Sequence, residues 1–178
     1  HARLTYSEVA AMMEDYDEEV RAQYPEIVPH LGVLYELFHT LHSARVARGA
    51  IEFDSLETEI QFGENNQIEM IVPYERRQAH RLIEECMLAA NESAARLFVD
   101  AEEPALFRDH EPPSEDKLEN LQSFLKTLGL ELRESDPPTP KAFCEAMEKA
   151  RARPDSNLIE KVMLRSMKQA IYHPDNRG

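Results

Sequence analysis

Apolar side chains recur at intervals of three and four residues along most of the chain, which is the spacing of one face of an α-helix. The longest such stretch ends near Val99, and another ends at Gly49, a residue type that commonly closes helices. Thr5-Tyr6-Ser7-Glu8 has the form of a capping box and predicts a short helix from there to about Asp15. The other helices are predicted at about residues 27–48, 76–99, 114–128, 141–151 and 157–172.

The apolar spacing shortens to two after Gly49, as is typical of a β-strand with one buried face. Alternating apolar residues occur at Ile51, Phe53, Leu56, Ile60 and Phe62, and again at Ile68, Met70 and Val72. Gly63-Glu64-Asn65-Asn66 interrupts the alternation and Pro73 ends it, so the pattern predicts a β-hairpin. A shorter extended segment is predicted at residues 105–108.

These elements predict an α+β fold that is mostly helical and contains a β-hairpin. The chain has 178 residues, enough for one domain with a core, and the pattern indicates no internal domain boundary. No uninterrupted apolar run of about 18 residues occurs, which excludes a membrane-spanning helix. Both cysteines, Cys86 and Cys144, lie in helical patterns and fit reduced thiols of a cytoplasmic protein.

The chain is strongly acidic, with 34 acidic and 20 basic residues and a formal net charge of −14. Domains that bind nucleic acid through its phosphates normally present a basic patch. The charge therefore argues against a self-sufficient RNA-binding domain and leaves open an acidic helical module that binds proteins. Among the basic residues, Arg45 and Arg48 lie at the end of a predicted helix, where they suit the helix dipole or could hold phosphates.

Several familiar catalytic motifs are absent from the sequence: no glycine-rich phosphate loop, C-x-x-C pair, H-E-x-x-H or G-x-S-x-G occurs. Glu36 and His39 have the E-x-x-H spacing of di-metal helical bundles, and His42 follows one turn later. Such a centre needs a second copy of the motif, which the sequence lacks. These residues are therefore predicted to form a solvated helix face.

Two residues have patterns that fit either packing or binding. Phe53 is most simply a core aromatic, but an aromatic can also stack on a nucleobase, an interaction worth about 1–3 kcal/mol. Glu84 lies with Asn91 at the margin of the apolar face of the longest helix, where a carboxylate needs a partner. The simpler interpretation of Glu84 is a pair with an arginine or a backbone group. Its neighbour Glu85 is predicted to point to solvent.

Several segments together resemble the RNB catalytic domain of the ribonuclease II/ribonuclease R family. They are residues 48–53 (RGAIEF), 79–91 (AHRLIEECMLAAN) and 105–110 (ALFRDH) with Pro113. Residues 1–6 (HARLTY), 164–172 (LRSMKQAIY) and 176–178 (NRG) resemble the ribonuclease R branch in particular. The segments cover essentially the whole chain in order, so residues 1–178 are identified as an internal part of such a domain.

The resemblance implies an enzyme that degrades RNA processively from its 3′ end and releases nucleoside 5′-monophosphates with Mg²⁺. In the family, the aspartates that hold the metal precede the position where this chain begins, and an arginine that stabilises the transferring phosphate lies after Gly178. No D-x₅-D-x-D-D pattern occurs in the sequence. We therefore expect no catalytic or metal-binding residue within the chain and no nuclease activity from it alone.

The resemblance also implies which residues contact RNA. Phe53 matches the family aromatic that stacks on the 3′-terminal base, and Glu84 matches a carboxylate that contacts ribose hydroxyls. Arg48, Asn91 and His110 are expected to support the site. The expected partner of the intact protein is the 3′ end of single-stranded RNA, with no role for a membrane. Alone, the chain is expected to bind RNA weakly or not at all and to self-associate through exposed apolar surface.

Overall fold

The computed structural model describes residues 1–53, 58–132 and 138–177. The helices are α1 (Tyr6–Met13), α2 (Glu18–Gln23), α3 (Val28–Ala47), α4 (Gln78–Asp100), α5 (Glu115–Thr127), α6 (Pro140–Arg151) and α7 (Ser156–Ser166). The strands are β1 (Thr58–Phe62), β2 (Ile68–Pro73), β3 (Phe107–Asp109) and β4 (Ile171–His173), paired as β1-β2 and β3-β4. This predominance of helix with small antiparallel sheets confirms the predicted α+β class.

The chain divides into two compact units, whereas the sequence pattern indicated a single unit. The first unit comprises His1–Ala44 and Leu56–Ala94, and the second comprises Arg45–Ser55 and Ala95–Gly178. Two of the divisions fall inside α3 and α4. Helical periodicity continues across those divisions, so apolar spacing gives no sign of them.

Side-chain caps begin the first two helices. The Thr5 hydroxyl accepts from the Glu8 N–H at 3.2 Å, and the Glu8 carboxylate accepts from the Thr5 N–H at 2.7 Å, which confirms the capping box. The Thr5 N–H and, secondarily, the Thr5 hydroxyl donate to the Glu8 carboxylate and lower its pKa. The short helix α2 was not predicted, because its six residues are too few to show a period. Asp17 caps it by accepting from the N–H groups of Glu19 and Val20.

The core of the first unit is supplemented by polar contacts. Tyr35, Phe38 and Leu82 form one buried cluster, with Val9, Met13 and Cys86 partly buried against them. The unit also buries Ala10, Met12, Leu31 and Ala79. The Tyr35 hydroxyl donates to Glu14 at 3.1 Å, and burial together with that carboxylate raises the pKa of Tyr35. Glu14 also accepts from the N–H groups of Gln78 and Ala79. One carboxylate therefore caps α4 and ties it to α1 and α3.

The predicted hairpin forms, but its first strand starts later than expected. Ile60 lies opposite Ile71, the register shifts between Gln61 and Phe62, and residues on both strands are largely exposed. The backbone turns back through Asn65 and Asn66, which both have positive φ. The predicted strand residues Ile51 and Phe53 are instead irregular and pack against the core of the second unit, and Leu56 lies outside the described residues. Ile51 and Phe53 are both partly buried although they form no strand, and their alternate spacing led to the strand prediction.

The apolar face predicted for α4 is buried only near its start. Ala79 and Leu82 are buried, whereas Met87 is 59% exposed and Leu97 is 67% exposed. The hairpin adds further apolar side chains to the surface, among them Phe62 and Ile71. No described helix has both the length and the apolar composition that a bilayer span requires.

The second unit has the larger core, built from α5, α6 and α7. Its buried members are Leu121, Leu125, Leu130, Phe143, Ala146, Ala150, Ile159 and Met163. Helix α6 begins where predicted, with Pro140 in its first turn and the Thr139 hydroxyl accepting from the Ala142 N–H. Ser114 occupies the N-cap position of α5 but forms no side-chain cap bond with a described residue.

The last helix is shorter than predicted. The pattern extended it to Tyr172, but α7 ends at Ser166, whose hydroxyl donates back to the Met163 carbonyl at 2.6 Å. Residues 171–173 instead form β4, which pairs with β3 so that Tyr172 lies opposite Arg108. The buried Asp109 accepts from the Arg177 N–H at 3.2 Å and fixes the chain beyond β4. Pairing with a distant strand thus overrides local helical spacing.

Candidate nucleic-acid interface

Phe53 lies near the start of the second unit, in an irregular segment that follows α3. It is half-buried and packs, together with Ile51, against the core formed by α5, α6 and α7. The ring is therefore held by apolar packing yet keeps part of its surface open. Both interpretations of Phe53 remain compatible with this position, because a ring that stacks on a base must be fixed and accessible at once.

The turn before Phe53 is closely packed on α6. Gly49 adopts a φ of +86°, and a Cβ built there would lie 3.0 Å from the Lys141 Cα. The Cys144 thiol donates towards the carbonyl oxygens of Gly49 and Ala50, each 3.2 Å from Sγ. Cys144 is half-buried and free of any disulfide, and desolvation, with Glu148 and Glu52 nearby, raises the pKa of its thiol. Sequence inspection assigned Cys144 no role beyond packing.

The two arginines at the end of α3 have different surroundings. Arg45 is largely buried and forms an ion pair with Glu52, whereas Arg48, just after the helix, is exposed. An exposed guanidinium is more accessible to a phosphate than a largely buried one. Of the two, Arg48 is the better placed to meet a phosphate.

Glu84 lies on α4 in the first unit and is about half exposed. The Arg76 guanidinium donates to it through two contacts, one of them 3.0 Å between Nε and Oε1. This is the carboxylate–arginine pair that the simpler interpretation of Glu84 required. Asn91, two turns further along α4, is exposed.

The prediction that Glu85 points to solvent is wrong, because this residue is only 4% exposed. Its carboxylate lies 3.1 Å from Nδ1 of His42, and Nε2 of His42 lies 3.2 Å from the Arg81 guanidinium. The His42 imidazole thus lies between the Glu85 carboxylate and the Arg81 guanidinium. The imidazole also stacks on Phe38 at 5.7 Å between ring centroids. His42 therefore faces a buried polar cluster, whereas the sequence suggested a solvated helix face.

The sequence contains part of the signal for this cluster. Glu85 immediately precedes Cys86 and follows Leu82 by three residues, which places it on the inward stripe of α4. Helical spacing alone would have buried it, but acidic residues are rarely found inside a protein without a partner. The partner, His42, comes from another helix, and nothing in the local pattern reveals that pairing.

His110 lies in the second unit, directly after β3, and is exposed. Its Nε2 contacts the backbone carbonyl of Lys168, while the Lys168 ammonium forms an ion pair with Glu111 at 2.8 Å. The hydrogen bond that Lys168 donates, followed by the positive charge of its ammonium group, lowers the pKa of Glu111. His110 thus supports the position of the segment that follows α7. Phe53 and His110 belong to the second unit, and Glu84 and Asn91 to the first.

The whole chain, residues 1–178, matches the family model of the RNB domain. It is 47% identical over 178 residues to ribonuclease R of Vibrio cholerae, covering 100% of this chain and 22% of that protein. It is 46% identical to ribonuclease R of Escherichia coli, with the same coverage of 100% and 22%. For ribonuclease R of Aquifex aeolicus the identity is 39% over 177 residues, which cover 99% of this chain and 25% of the relative. The chain thus spans about a quarter or less of these relatives.

Solved structures of Mycoplasma genitalium RNase R share the fold. The apo form and a complex with ribose-methylated single-stranded RNA both superimpose with a TM-score of 0.86 at 22% identity. In each case the match covers 97% of this chain and 27% of the solved chain.

Proposed function

Because the chain belongs to the RNB domain family, we propose that it is a segment of a cytoplasmic exoribonuclease that degrades RNA processively from the 3′ end to nucleoside 5′-monophosphates. The observation that carries this proposal is the match of all 178 residues to that domain. The activity is assigned to the longer protein, not to this segment alone. A non-enzymatic acidic interaction module is not favoured, since nuclease relatives match the whole chain.

Phe53 is proposed to stack on the 3′-terminal base of single-stranded RNA. Its ring is anchored on a helical core and is only partly buried, as a stacking platform requires. Stacking does not depend on base identity, because every base offers a π-face. Arg48, exposed near the same turn, would contact a phosphate, and His110 would support the site from β3.

Glu84 is proposed to accept hydrogen bonds from ribose hydroxyls. Its carboxylate is accessible, and the Arg76 guanidinium keeps it oriented. A group that accepts from a 2′-hydroxyl distinguishes RNA from DNA, because DNA has no such donor. Asn91 would support this contact from the same helix.

Mg²⁺ is proposed as the cofactor of the longer protein. Magnesium prefers six ligands, mostly oxygens of carboxylates, phosphates and water. Within either unit taken alone, the described residues bring no three carboxylate or imidazole ligands close enough for one ion. The His42–Glu85 pair supplies one nitrogen and one oxygen, which do not fit this preference. As the resemblance to the family implies, we assign the metal to residues outside this segment and expect no hydrolysis by the segment alone.

Incubation of the 178-residue chain with 3′-labelled single-stranded RNA and Mg²⁺ tests whether hydrolysis requires residues outside this segment. The RNA should remain whole, while the longer protein should release labelled mononucleotides under the same conditions. Filter binding at low salt should show weak or no RNA retention by the chain, given its charge of −14. Mononucleotide release by the chain would contradict the proposal, provided that Phe53→Ala abolishes the release and thereby excludes a contaminating nuclease.

Substitution of Glu84 in the longer protein tests the ribose contact. Glu84→Ala should reduce the preference for RNA over a substrate with 2′-deoxyribose near the 3′ end by about tenfold, the cost of one charge-assisted hydrogen bond. Glu119→Ala removes an exposed carboxylate of α5 and serves as the matched control. An unchanged preference in Glu84→Ala would remove Glu84 from the site.

Self-association of the isolated chain is proposed through its exposed apolar surface. Phe62 on the hairpin and Leu97 on α4 are each more than half exposed, and such patches favour association with a second copy. Sedimentation velocity over a range of concentrations should show a rising mean mass. Phe62→Ser should weaken that trend, and a concentration-independent monomer would contradict it.

A further inference from the structure

The turn that precedes Phe53 has no regular secondary structure, so its backbone polar groups need partners of other kinds. Two of its N–H groups close helix α3: Gly49 donates to the Val46 carbonyl at 2.9 Å, and Ala50 donates to the Arg45 carbonyl at 3.2 Å. The carbonyl groups of Gly49 and Ala50 point the other way, to α6. There the Cys144 thiol lies 3.2 Å from each oxygen.

Cys144 is suited to remain a donor in this position. Desolvation, supported by the carboxylates of Glu148 and Glu52, raises the pKa of the thiol and keeps its proton bound at neutral pH. A thiolate could only repel two carbonyl oxygens, whereas a thiol can share its hydrogen between them. Within the second unit, the protonated sulfur therefore connects α6 to the Gly49-Ala50 turn.

Close packing restricts the same turn from a second direction. A Cβ at Gly49 would lie 3.0–3.1 Å from backbone and side-chain atoms of Lys141, so the turn is in contact with the first turn of α6. Beyond it, Ile51 and Phe53 pack on the core to which Phe143 of α6 belongs. The backbone between Gly49 and Phe53 thus has little freedom to shift, and Cys144 supplies its polar attachment.

We infer that Cys144 is a positioning residue for Phe53: its thiol fixes the two carbonyl groups of the Gly49-Ala50 turn and thereby sets where the Phe53 ring meets the terminal base. The inference rests on the stacking role proposed for Phe53. It requires a hydrogen-bond donor at residue 144, not merely a side chain that fills space. A purely structural role would require only the volume.

A double-mutant cycle in the longer protein separates the two roles. Cys144→Ala should raise KM for single-stranded RNA by about 2- to 10-fold, the range for one lost hydrogen bond, with kcat changed less than twofold. In a Phe53→Ala background, Cys144→Ala should have no further effect, because the ring that it positions is gone. Cys144→Ser, which keeps a donor, should stay near the original KM. Cys86→Ala, in the other unit, is the matched cysteine control and should not couple to Phe53.

Hydrogen exchange of the 178-residue chain provides a readout that needs no activity. Cys144→Ala should accelerate exchange of the amides of residues 50–53, and Cys144→Ser should not. Equal acceleration by both variants, or an equal KM increase with and without Phe53, would overturn the inference. If Phe53→Ala itself leaves KM unchanged, the stacking role proposed for Phe53 fails. Accelerated exchange in Cys144→Ala would then show that the thiol still fixes the turn, and that only the stacking role of Phe53 is wrong.

Discussion

The two units differ in what holds their candidate RNA contact in place. Phe53 packs on a core in the second unit whose central side chains, Leu125 and Met163 among them, are fully buried. Glu84 belongs to the first unit, whose core cluster has three buried members and which buries the carboxylate of Glu85. Apolar packing is insensitive to salt and pH, whereas ion pairs are screened and titrate. The aromatic contact should therefore persist under conditions that displace the carboxylate contact.

The largest expected effect comes from the core of the second unit. Leu125 is 0% exposed, so Leu125→Ala should lower the free energy of unfolding by about 2–5 kcal/mol, through lost burial and the cavity that remains. Leu88, on α4 of the first unit, is 42% exposed, and Leu88→Ala should cost less than about 1 kcal/mol. Urea titration of the chain measures both. Equal losses would contradict the prediction, because they would mean that the burial of Leu125 does not set the cost of its truncation.

The turn that leads to Phe53 should give the next largest effect. Gly49→Ala combines a positive φ with a Cβ in contact with Lys141, and should cost about 2–4 kcal/mol in unfolding free energy. Gly129 also has a positive φ, +71°, but no described atom beyond its neighbours lies within 4 Å of its Cβ position. Gly129→Ala should therefore show the backbone cost alone, about 1–2 kcal/mol. If the two variants match, the contact with α6 contributes nothing to the turn.

Neighbouring carboxylates of α4 provide a smaller test within the first unit. Glu85→Ala removes a buried carboxylate that lies 3.1 Å from Nδ1 of His42, and should lower the free energy of unfolding by about 1–3 kcal/mol. Glu84→Ala removes a half-exposed pair with Arg76 and should cost less than about 1 kcal/mol. Thermal unfolding of both variants distinguishes them. A larger loss for Glu84 would mean that the surface pair, not the buried cluster, stabilises α4.

The sequence predicted the features that depend on the spacing of apolar and polar residues close together in the chain. The capping box at Thr5, the approximate extents of α3 and α4 and the start of α6 near Lys141 all follow from residues close together in the chain. The resemblance to RNB domains, confirmed by the match over the whole chain, rests on segments in fixed order and needs no structure.

What the sequence did not predict depends on partners distant along the chain. Tyr172 lies in a strand because β3, more than sixty residues earlier, pairs with it. Glu85 is buried because His42 comes from another helix, and Cys144 attaches to a turn 94 and 95 residues away. Helical or alternating spacing carries no information about such pairings. The roles of Phe53 and Glu84 stay predictions, since the fold places them without testing what they bind.

Acid titration should give the smallest effect, and it targets the ion pairs of the first unit. The Arg77 guanidinium, chiefly through its hydrogen bond to Asp15, lowers the pKa of that carboxyl below its ordinary value of 3.8. A lowered folded-state pKa means that the pair stabilises the chain fully above the ordinary value and loses that contribution as the pH falls through the lower one. The free energy of unfolding should thus decline below about pH 4, and Asp15→Asn should flatten the decline. Because Asp15 is exposed, salt should flatten it too, whereas the loss in Leu125→Ala should be unaffected by salt. If the free energy of unfolding of Asp15→Asn declines with acid as steeply as that of the original chain, the Asp15–Arg77 pair does not stabilise the first unit. The contrast with the apolar core of the second unit would then rest on packing alone.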